Sequence, residues 1–258
     1  MYKRQLQTQA SLLSVIGDDE AGRSAADILG NGGVNRHLHV DQEMKTTEKL
    51  RIISRQQQLL RVDFEQNPSA AILQRCASDY QELINDIDVV VLSDYGKGGL
   101  AQVQTMIEMA RQRAIPVVVD PKGDNYRCYR GATVVTPNLK EFLSVVGPWD
   151  SEEELTTKAQ LLMEEYELEH LLVTRGADGM TLLTGADAPL SVQARSQEVY
   201  DVTGAGDTVV AVVAIGIACA AQWTEILMLA NAAAGVVVGK LGTAVTTPQE
   251  INAFINVA

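Results

Sequence analysis

From residue 87 to residue 173, short apolar runs alternate with helical segments, and this alternation restricts the fold more than any other feature of the chain. Largely apolar runs of strand length are typical of strands that a parallel sheet buries on both faces. Repeated strand–helix units favour an α/β architecture with a mostly parallel central sheet. We predict parallel strands at residues 87–92, 115–119, 133–135 and 171–173, helices at 103–113, 139–146 and 152–166, and an antiparallel strand at 180–183.

Polar residues follow each of the four predicted parallel strands. In an open α/β sheet, ligands bind beyond the carboxyl ends of the strands, so we expect these four segments to meet at one edge. Asn138 and Glu141 carry oxygen atoms that can hold Mg²⁺, directly or through water. The candidate phosphate or substrate contacts are Asp94, Lys97, Lys122 and Arg175.

Residues 201–208, which read DVTGAGDT, precede a long apolar run. Glycines let a backbone approach a ligand closely, and the unpaired N–H groups of a helix that begins here favour an anion. Asp207 inside such a turn would repel a phosphate unless it had a chemical role or a metal partner. Asp, Thr and Gly are also ordinary at a helix start, so this segment alone leaves a capping role open. Together with the strand ends, it predicts a kinase without a P-loop, in which Asp207 is the base for a hydroxyl nucleophile.

The composition excludes several classes of partner. A net charge of -12 argues against nucleic acid and anionic membranes, because both attract basic patches. The apolar run at residues 209–221 is too short to span a bilayer and indicates a buried core helix. Three widely spaced cysteines and the absence of a signal-peptide pattern favour the cytoplasm.

The amino-terminal third has a different character from the rest. We expect residues 1–10 to be a poorly ordered start, and a strand and a helix to follow from Ser11. Residues 34–65 contain three short alternating runs, which predict a small sheet inserted into a main domain of residues 11–258. His37 and His39 share one face of such a strand, but a zinc site needs a third ligand, so a solvated strand surface is favoured over a metal site.

Several separated segments resemble the ribokinase-like (PfkB) family of carbohydrate kinases. Residues 201–208 resemble the C-terminal signature of that family, and residues 136–141, with the pattern TPNxxE, resemble its magnesium and phosphate motif. The resemblance extends from about Ser11 to the end of the chain. The segments that look like its D-glycero-β-D-manno-heptose-7-phosphate kinase branch are residues 49–63, 92–98, 231–235 and 239–243.

The resemblance implies a ribokinase-like three-layer sandwich with a small β lid over the sugar. It also implies an ATP- and Mg²⁺-dependent kinase that phosphorylates the anomeric hydroxyl of the heptose 7-phosphate, giving the 1,7-bisphosphate used for ADP-heptose and the lipopolysaccharide core. Lids of this family often pair to form homodimers, and Asp201 and Thr203 resemble positions that hold a monovalent cation in some relatives. The implied site consists of Asp207 as catalytic base, an anion hole of Gly204, Ala205 and Gly206, nucleotide contacts at Asn138, Leu139, Lys140, Glu141, Thr174, Arg175 and Gly176, and Asn231 near the adenine.

The chain departs from the family pattern in two places. The family opens with a strand that carries a sugar-binding Asp and then a Gly-Gly-Ala-x-Asn motif, and neither precedes Ser11. We therefore expect an amino-terminally truncated kinase. Many relatives also carry a nucleotidyltransferase domain, and because the sequence ends at Ala258 without one, we expect either a fragment or the single-function form. Two alternatives stay open: a kinase for another sugar phosphate, and a nucleotide-binding fragment with impaired catalysis.

Overall fold

The computed structural model describes residues 8–54, 57–185, 187–195 and 199–256. Most of the start that we expected to be poorly ordered, residues 1–7, lies outside these ranges. The chain divides into two compact units. The first contains Gln9–Leu83 and Gly96–Ala101, and the second contains Ile84–Tyr95 and Gln102–Ala258.

The first unit combines a parallel strand–helix–strand arrangement with a separate hairpin. Its elements are β1 (Ser11–Gly17), α1 (Glu20–Asn31), β2 (Asn35–Asp41), β3 (Glu48–Ser54), β4 (Gln57–Phe64) and α2 (Ala70–Leu83). β1 pairs with β2 in parallel, and β3 pairs with β4 antiparallel. α1 begins where the Asp19 side chain accepts the N–H of Gly22 at 2.8 Å, a standard N-cap.

The strand pairing corrects one prediction about residues 34–65. We expected their three short runs to share one small sheet, whereas β2 belongs with β1 and only β3 and β4 pair with each other. Alternation reveals that a segment is a strand, but it carries no information about which strand is its neighbour. The helical crossover α1 provides the connection that a parallel pair requires.

The second unit is built on a six-stranded sheet with the order β10-β9-β8-β7-β6-β5. The four strands from β5 to β8 are parallel, and β9 and β10 add antiparallel, which confirms the predicted mostly parallel sheet with an antiparallel strand at 180–183. The strands are β5 (Val90–Ser93), β6 (Val117–Asp120), β7 (Val134–Val135), β8 (His170–Thr174), β9 (Met180–Leu183) and β10 (Leu190–Val192). The helices are α3 (Val103–Arg111), α4 (Leu139–Val146), α5 (Glu152–Glu165), α6 (Ala205–Ala218), α7 (Trp223–Val238) and α8 (Pro248–Asn256).

Helices cover both faces of this sheet. Val118 and Leu172 pack in one core cluster with α6, α7 and α8. Successive side chains of a strand point to opposite faces, so Val117, Val119 and Leu171 point away from that cluster. They are nevertheless 0% exposed, and α3, α4 and α5 contact the strands that carry them. The second unit therefore has the three layers that we predicted, with helices on each side of the sheet.

Helix α6 is apolar on almost all sides. Every residue from Thr208 to Ala214 is buried, as expected for a core helix rather than an amphipathic surface one. Within the described ranges, no helix combines the length and apolar character that crossing a membrane requires.

Candidate active site

The carboxyl ends of the parallel strands and the start of α6 meet at one small cavity. Asp120 ends β6, Asn138 precedes α4, and Thr174 ends β8. The cavity is lined by Asp120, Thr136, Asn138, Glu141, Thr174, Gly206, Val209 and Val210. The structure thus brings together residues from three strand ends and the first two turns of α6.

The turn before α6 depends on a glycine. Gly204, the N-cap residue, has a φ of 84°, a left-handed conformation that costs any residue with a Cβ more than glycine. The N–H of Ala205 donates to the carbonyl of Val202 at 3.2 Å, so it is already engaged. Within the described residues, the N–H groups of Gly206 and Asp207 make no hydrogen bond, as expected in a first helical turn. They are the donors that this turn offers to an anion.

Asp207 lies in the first turn of α6 and is partly exposed. The hydroxyl of Tyr95 donates to its Oδ1 at 3.3 Å. Tyr95 was not predicted as a site residue, although it directly follows Asp94 at the end of a strand. An aromatic residue next to a strand end gave no chemical reason to choose it in advance.

Asp120 is the most perturbed acid at this edge. Burial raises its pKa to about 7, and the negative charges of Asp207 and Glu141 act in the same direction, whereas Lys122 opposes the shift. The site therefore gathers more negative charge than its own cations balance. Asp120 was recognised as a strand-end residue but was not selected as a site residue, because burial is invisible in the sequence.

Asn138 and Glu141 form the capping box of α4. The Asn138 side chain accepts the N–H of Glu141 at 2.9 Å, and the Glu141 carboxylate accepts the N–H of Asn138 at 3.2 Å. The Lys122 ammonium lies 2.9 Å from Glu141 Oε1. Leu139 and the exposed Lys140 complete the first turn. The predicted magnesium motif is thus also a helix cap.

Arg175, which we predicted to contact the nucleotide phosphates, pairs with a carboxylate in this structure. Its guanidinium makes two hydrogen bonds to Glu152, at 2.6 and 3.0 Å, and reaches Thr181 at 3.4 Å. Gly176, the next residue, has a φ of 61°. The structure commits Arg175 to the start of α5, so its nucleotide role stays a prediction without geometric support.

Three further predicted site residues, Thr174, Asn231 and Lys97, each contact a different part of the chain. Thr174 donates its N–H to Pro137 at 2.9 Å, beside the Asn138 cap. Asn231 on α7 donates to the carbonyl of Gln193 at 2.9 Å. Lys97 belongs to the first unit, where its ammonium contacts Glu65.

The geometry adds no support for a monovalent cation at Asp201 and Thr203, or for the metal pair at His37 and His39 that we did not favour. The Asp201 side chain accepts the N–H of Thr203 at 2.9 Å, which closes a local turn. His39 lies 3.0 Å from Asp79, so the strand surface that we expected to be solvated holds a partly buried polar pair. In the described part of the chain, no group of three or more His, Cys, Asp or Glu side chains could hold a metal ion.

Comparison with known proteins establishes the class. The chain belongs to the pfkB family of carbohydrate kinases, which it matches over residues 2–250. It is 49% identical over 244 residues to the bifunctional protein HldE of Ectopseudomonas mendocina (strain ymp), a match that covers 94% of this chain and 51% of that protein. It is 47% identical over 246 residues to the D-beta-D-heptose 7-phosphate kinase of Bordetella bronchiseptica, covering 95% of this chain and 78% of that protein. The chain therefore spans about half the length of the HldE relative.

Solved structures establish the fold. Arabidopsis thaliana ribokinase, in complex with ribose and ATP, superposes with a TM-score of 0.83 at 17% identity, covering 98% of this chain and 84% of that one. Phosphofructokinase-2 from Escherichia coli, in complex with potassium, gives a TM-score of 0.81 at 16% identity, with coverage of 98% and 83%. The predicted ribokinase-like α/β fold is confirmed.

Proposed function

We propose that this protein transfers the γ-phosphoryl group of ATP to the anomeric hydroxyl of D-glycero-β-D-manno-heptose 7-phosphate, giving the 1,7-bisphosphate for ADP-heptose and lipopolysaccharide core synthesis. The observation that carries the proposal is the position of the Asp207 carboxylate in the first turn of α6, a helix that begins directly after the left-handed Gly204. The names of its HldE and heptose 7-phosphate kinase relatives support the choice of sugar.

Each part of the glycine turn has a role in the proposed reaction. Asp207 accepts the proton of the anomeric hydroxyl while that oxygen attacks the γ-phosphorus, and ADP leaves with the electron pair of the broken P–O bond. The N–H groups of Gly206 and Asp207, together with the open turn at Gly204, stabilise the transferred phosphoryl group. A Cβ added at Gly206 would contact nothing within 4 Å, so the turn leaves space for a ligand.

The donors around Asp120 fit a magnesium ion. Asp120, Glu141 and Asn138 offer oxygen atoms. Burial raises the pKa of Asp120, and the neighbouring carboxylates raise it further, so a cation bound here would relieve an unfavourable negative charge. Mg²⁺ keeps several waters and binds through one or two carboxylates plus substrate phosphates, so a cage of three acidic ligands is not required. When bound with ATP, the ion neutralises charge on the phosphates. Glu141 and Asn138 would hold it through water.

The first experiment measures phosphorylation of the heptose 7-phosphate by the 258-residue chain with ATP and Mg²⁺. Asp207→Asn should lower kcat by roughly 10²–10⁴, the usual contribution of a general base. Asp88→Asn is the matched control, because Asp88 is exposed and precedes the amino end of β5, away from the strand ends that carry the site. Equal rates for the wild type and Asp207→Asn would reject the catalytic role.

A substrate panel separates the proposed sugar from its alternatives. Turnover of another sugar phosphate with a higher kcat/KM would replace the heptose in the proposal. ATP binding by calorimetry without turnover of any sugar phosphate would indicate a nucleotide-binding fragment. The two results are distinguishable because calorimetry does not depend on the acceptor.

The hairpin β3–β4 supports a homodimer as the working form. Leu50, Leu59, Leu60 and Phe64 are more than half exposed on it, a cluster of apolar side chains that a second copy of the hairpin would cover. Light scattering of the wild type and of Leu59→Lys would test this assembly.

The free thiols of Cys76, Cys128 and Cys219 fit the reducing cytoplasm, where ATP is abundant.

A further inference from the structure

Two adjacent buried tyrosines near the site differ in what their hydroxyl groups contact. Tyr126 and Tyr129 lie on the same short 3-10 helix, both are 0% exposed, and their rings pack edge to face with centroids 5.7 Å apart. The hydroxyl of Tyr126 has no hydrogen-bond partner among the described residues. The hydroxyl of Tyr129 has three polar contacts.

The Tyr129 hydroxyl joins the ends of two parallel strands. It donates to Asp94 Oδ2 at 2.7 Å, just after β5, and accepts the backbone N–H of Lys122 at 3.0 Å, just after β6. It also lies 3.3 Å from the Lys122 carbonyl. A hydrogen bond to a carboxylate is stronger than one between neutral groups. Asp94 therefore fixes the hydroxyl so that its oxygen faces the Lys122 backbone.

The Lys122 loop needs such an anchor. Pro121 has no N–H to donate, and Gly123 adopts a φ of 79°, so the backbone around Lys122 has little regular support of its own. The Lys122 side chain is 53% exposed, and its ammonium lies 2.9 Å from Glu141. The position of the Lys122 backbone therefore limits the positions that the ammonium group of this long, flexible side chain can reach.

We propose that Tyr129 is a positioning residue: its buried hydroxyl, held by Asp94, fixes the Lys122 backbone so that the Lys122 ammonium meets the phosphates of the nucleotide beside Glu141. The proposal rests on the proposed kinase function for its ligand. The contacts Asp94–Tyr129–Lys122–Glu141 form one continuous series, from the end of β5 to the start of α4. Tyr129 itself is fully buried and does not contact the substrates.

The test compares Tyr129→Phe with Tyr126→Phe. Both changes remove one hydroxyl from a fully buried ring, so a general effect on packing would appear in both. We expect Tyr129→Phe to raise the KM for Mg·ATP about tenfold and to change kcat less than about threefold, since a misplaced ammonium weakens binding more than chemistry. Tyr126→Phe should leave both constants within about twofold of the wild type. Equal effects of the two variants would overturn the proposal.

A double-mutant cycle with Lys122→Gln shows whether Tyr129 acts through Lys122. In the Lys122→Gln background, Tyr129→Phe should change the dissociation constant of Mg·ATP by less than about twofold. A further tenfold loss in that background would mean that Tyr129 acts independently of Lys122, contrary to the proposal. If Tyr129→Phe does not fold, Asp94→Asn weakens the acceptor of the hydroxyl and should shift Mg·ATP binding in the same direction, and no shift would count against the proposal.

Calorimetry of Mg·ATP binding also separates this proposal from the proposed function. A protein that binds Mg·ATP but phosphorylates no sugar phosphate would refute the kinase function and still allow the cycle to be measured. A normal kinase whose Mg·ATP affinity is unchanged in Tyr129→Phe would refute only the positioning role.

Discussion

At the scale of single residues, the site is defined by carboxylates that the protein leaves close together. Asp120 is affected by the charges of Asp207, Glu141 and Asp94, and among the described residues Lys122 alone opposes them. Such an arrangement is unfavourable in the free protein, but it is suited to a ligand that arrives with a cation. The local cost to stability and the proposed function therefore have the same physical origin.

Asp120 predicts a specific pH dependence of stability. Its pKa is raised from 3.8 to about 7, first by burial and then by neighbouring acids, so the folded state binds the proton more tightly than the unfolded chain. The resulting stabilisation is complete below pH 3.8 and is lost as the pH rises through about 7. Relative to Asp120→Asn, the wild-type free energy of unfolding should fall between these pH values, by at most about 1.4 kcal/mol per pH unit.

Denaturant unfolding of both proteins at several pH values measures this difference. Asn cannot release a proton, so it serves as a fixed neutral reference of similar size. If the free energy of unfolding of the wild type, minus that of Asp120→Asn, rose with pH over this interval, the folded protein would stabilise Asp120 as an anion, contrary to the expectation.

At the scale of elements, the turn between β8 and β9 depends on a glycine, because neighbouring backbone atoms leave no space for a Cβ atom there. Gly179, between β8 and β9, has a φ of 84°, and a Cβ there would lie 1.9 Å from the carbonyl oxygen of Val192 and 2.7 Å from the N atom of Ala194. The turn thus brings the start of β9 against the backbone that follows β10. A Cβ atom at this position would push the start of β9 away from the backbone that follows β10, within the antiparallel part of the sheet.

Gly179→Ala is expected to lower the free energy of unfolding by about 2–4 kcal/mol, because left-handed strain and backbone overlap add together. Gly242→Ala is the control: Gly242 has a φ of 75°, but a Cβ there would meet nothing within 4 Å, so only about 1–2 kcal/mol of strain should appear. Thermal and denaturant unfolding measure both variants. Equal losses would mean that the close contact with Val192 is unimportant.

At the scale of the whole molecule, the net charge of -12 predicts that nucleotide binding depends on a cation. Free ATP brings further negative charge to an edge that already carries Asp120, Glu141 and Asp207. The positive charge of Mg²⁺ would offset both the phosphate charges of ATP and the carboxylate charges of the site. Stability of the chain should therefore report on the metal as well as on the nucleotide.

Mg·ATP at about 100 times its dissociation constant should raise the free energy of unfolding by about 2.7 kcal/mol, with a corresponding rise in Tm. Chelation of Mg²⁺ with EDTA should remove most of that rise, since ATP alone would be repelled. Differential scanning fluorimetry with ATP, with Mg²⁺ and with both measures the effect. Full stabilisation by ATP in EDTA would contradict the proposed role of the metal.

Much of the second unit could be predicted because its signals are local. α4 (Leu139–Val146) begins and ends where we predicted, since an Asn cap, a Glu three residues later and a following glycine mark its limits. Buried strands such as β6 and β8 were recognised from continuous apolar runs, although their ends shifted by a residue or two. By contrast, α2, α7 and α8 were not predicted, and α7 is apolar on most sides, without the periodic pattern that marks a surface helix.

Residue types and their order along the chain were enough to determine the α/β class, the polar strand ends and Asp207 as the candidate base. These depend on local propensity and on the topology of parallel sheets, which a sequence displays directly. Only the tertiary structure decided that β2 pairs with β1, that Arg175 pairs with Glu152, and that Tyr129 links two strand ends. Such choices depend on which groups meet in space, where burial and distance set the strength of every polar contact.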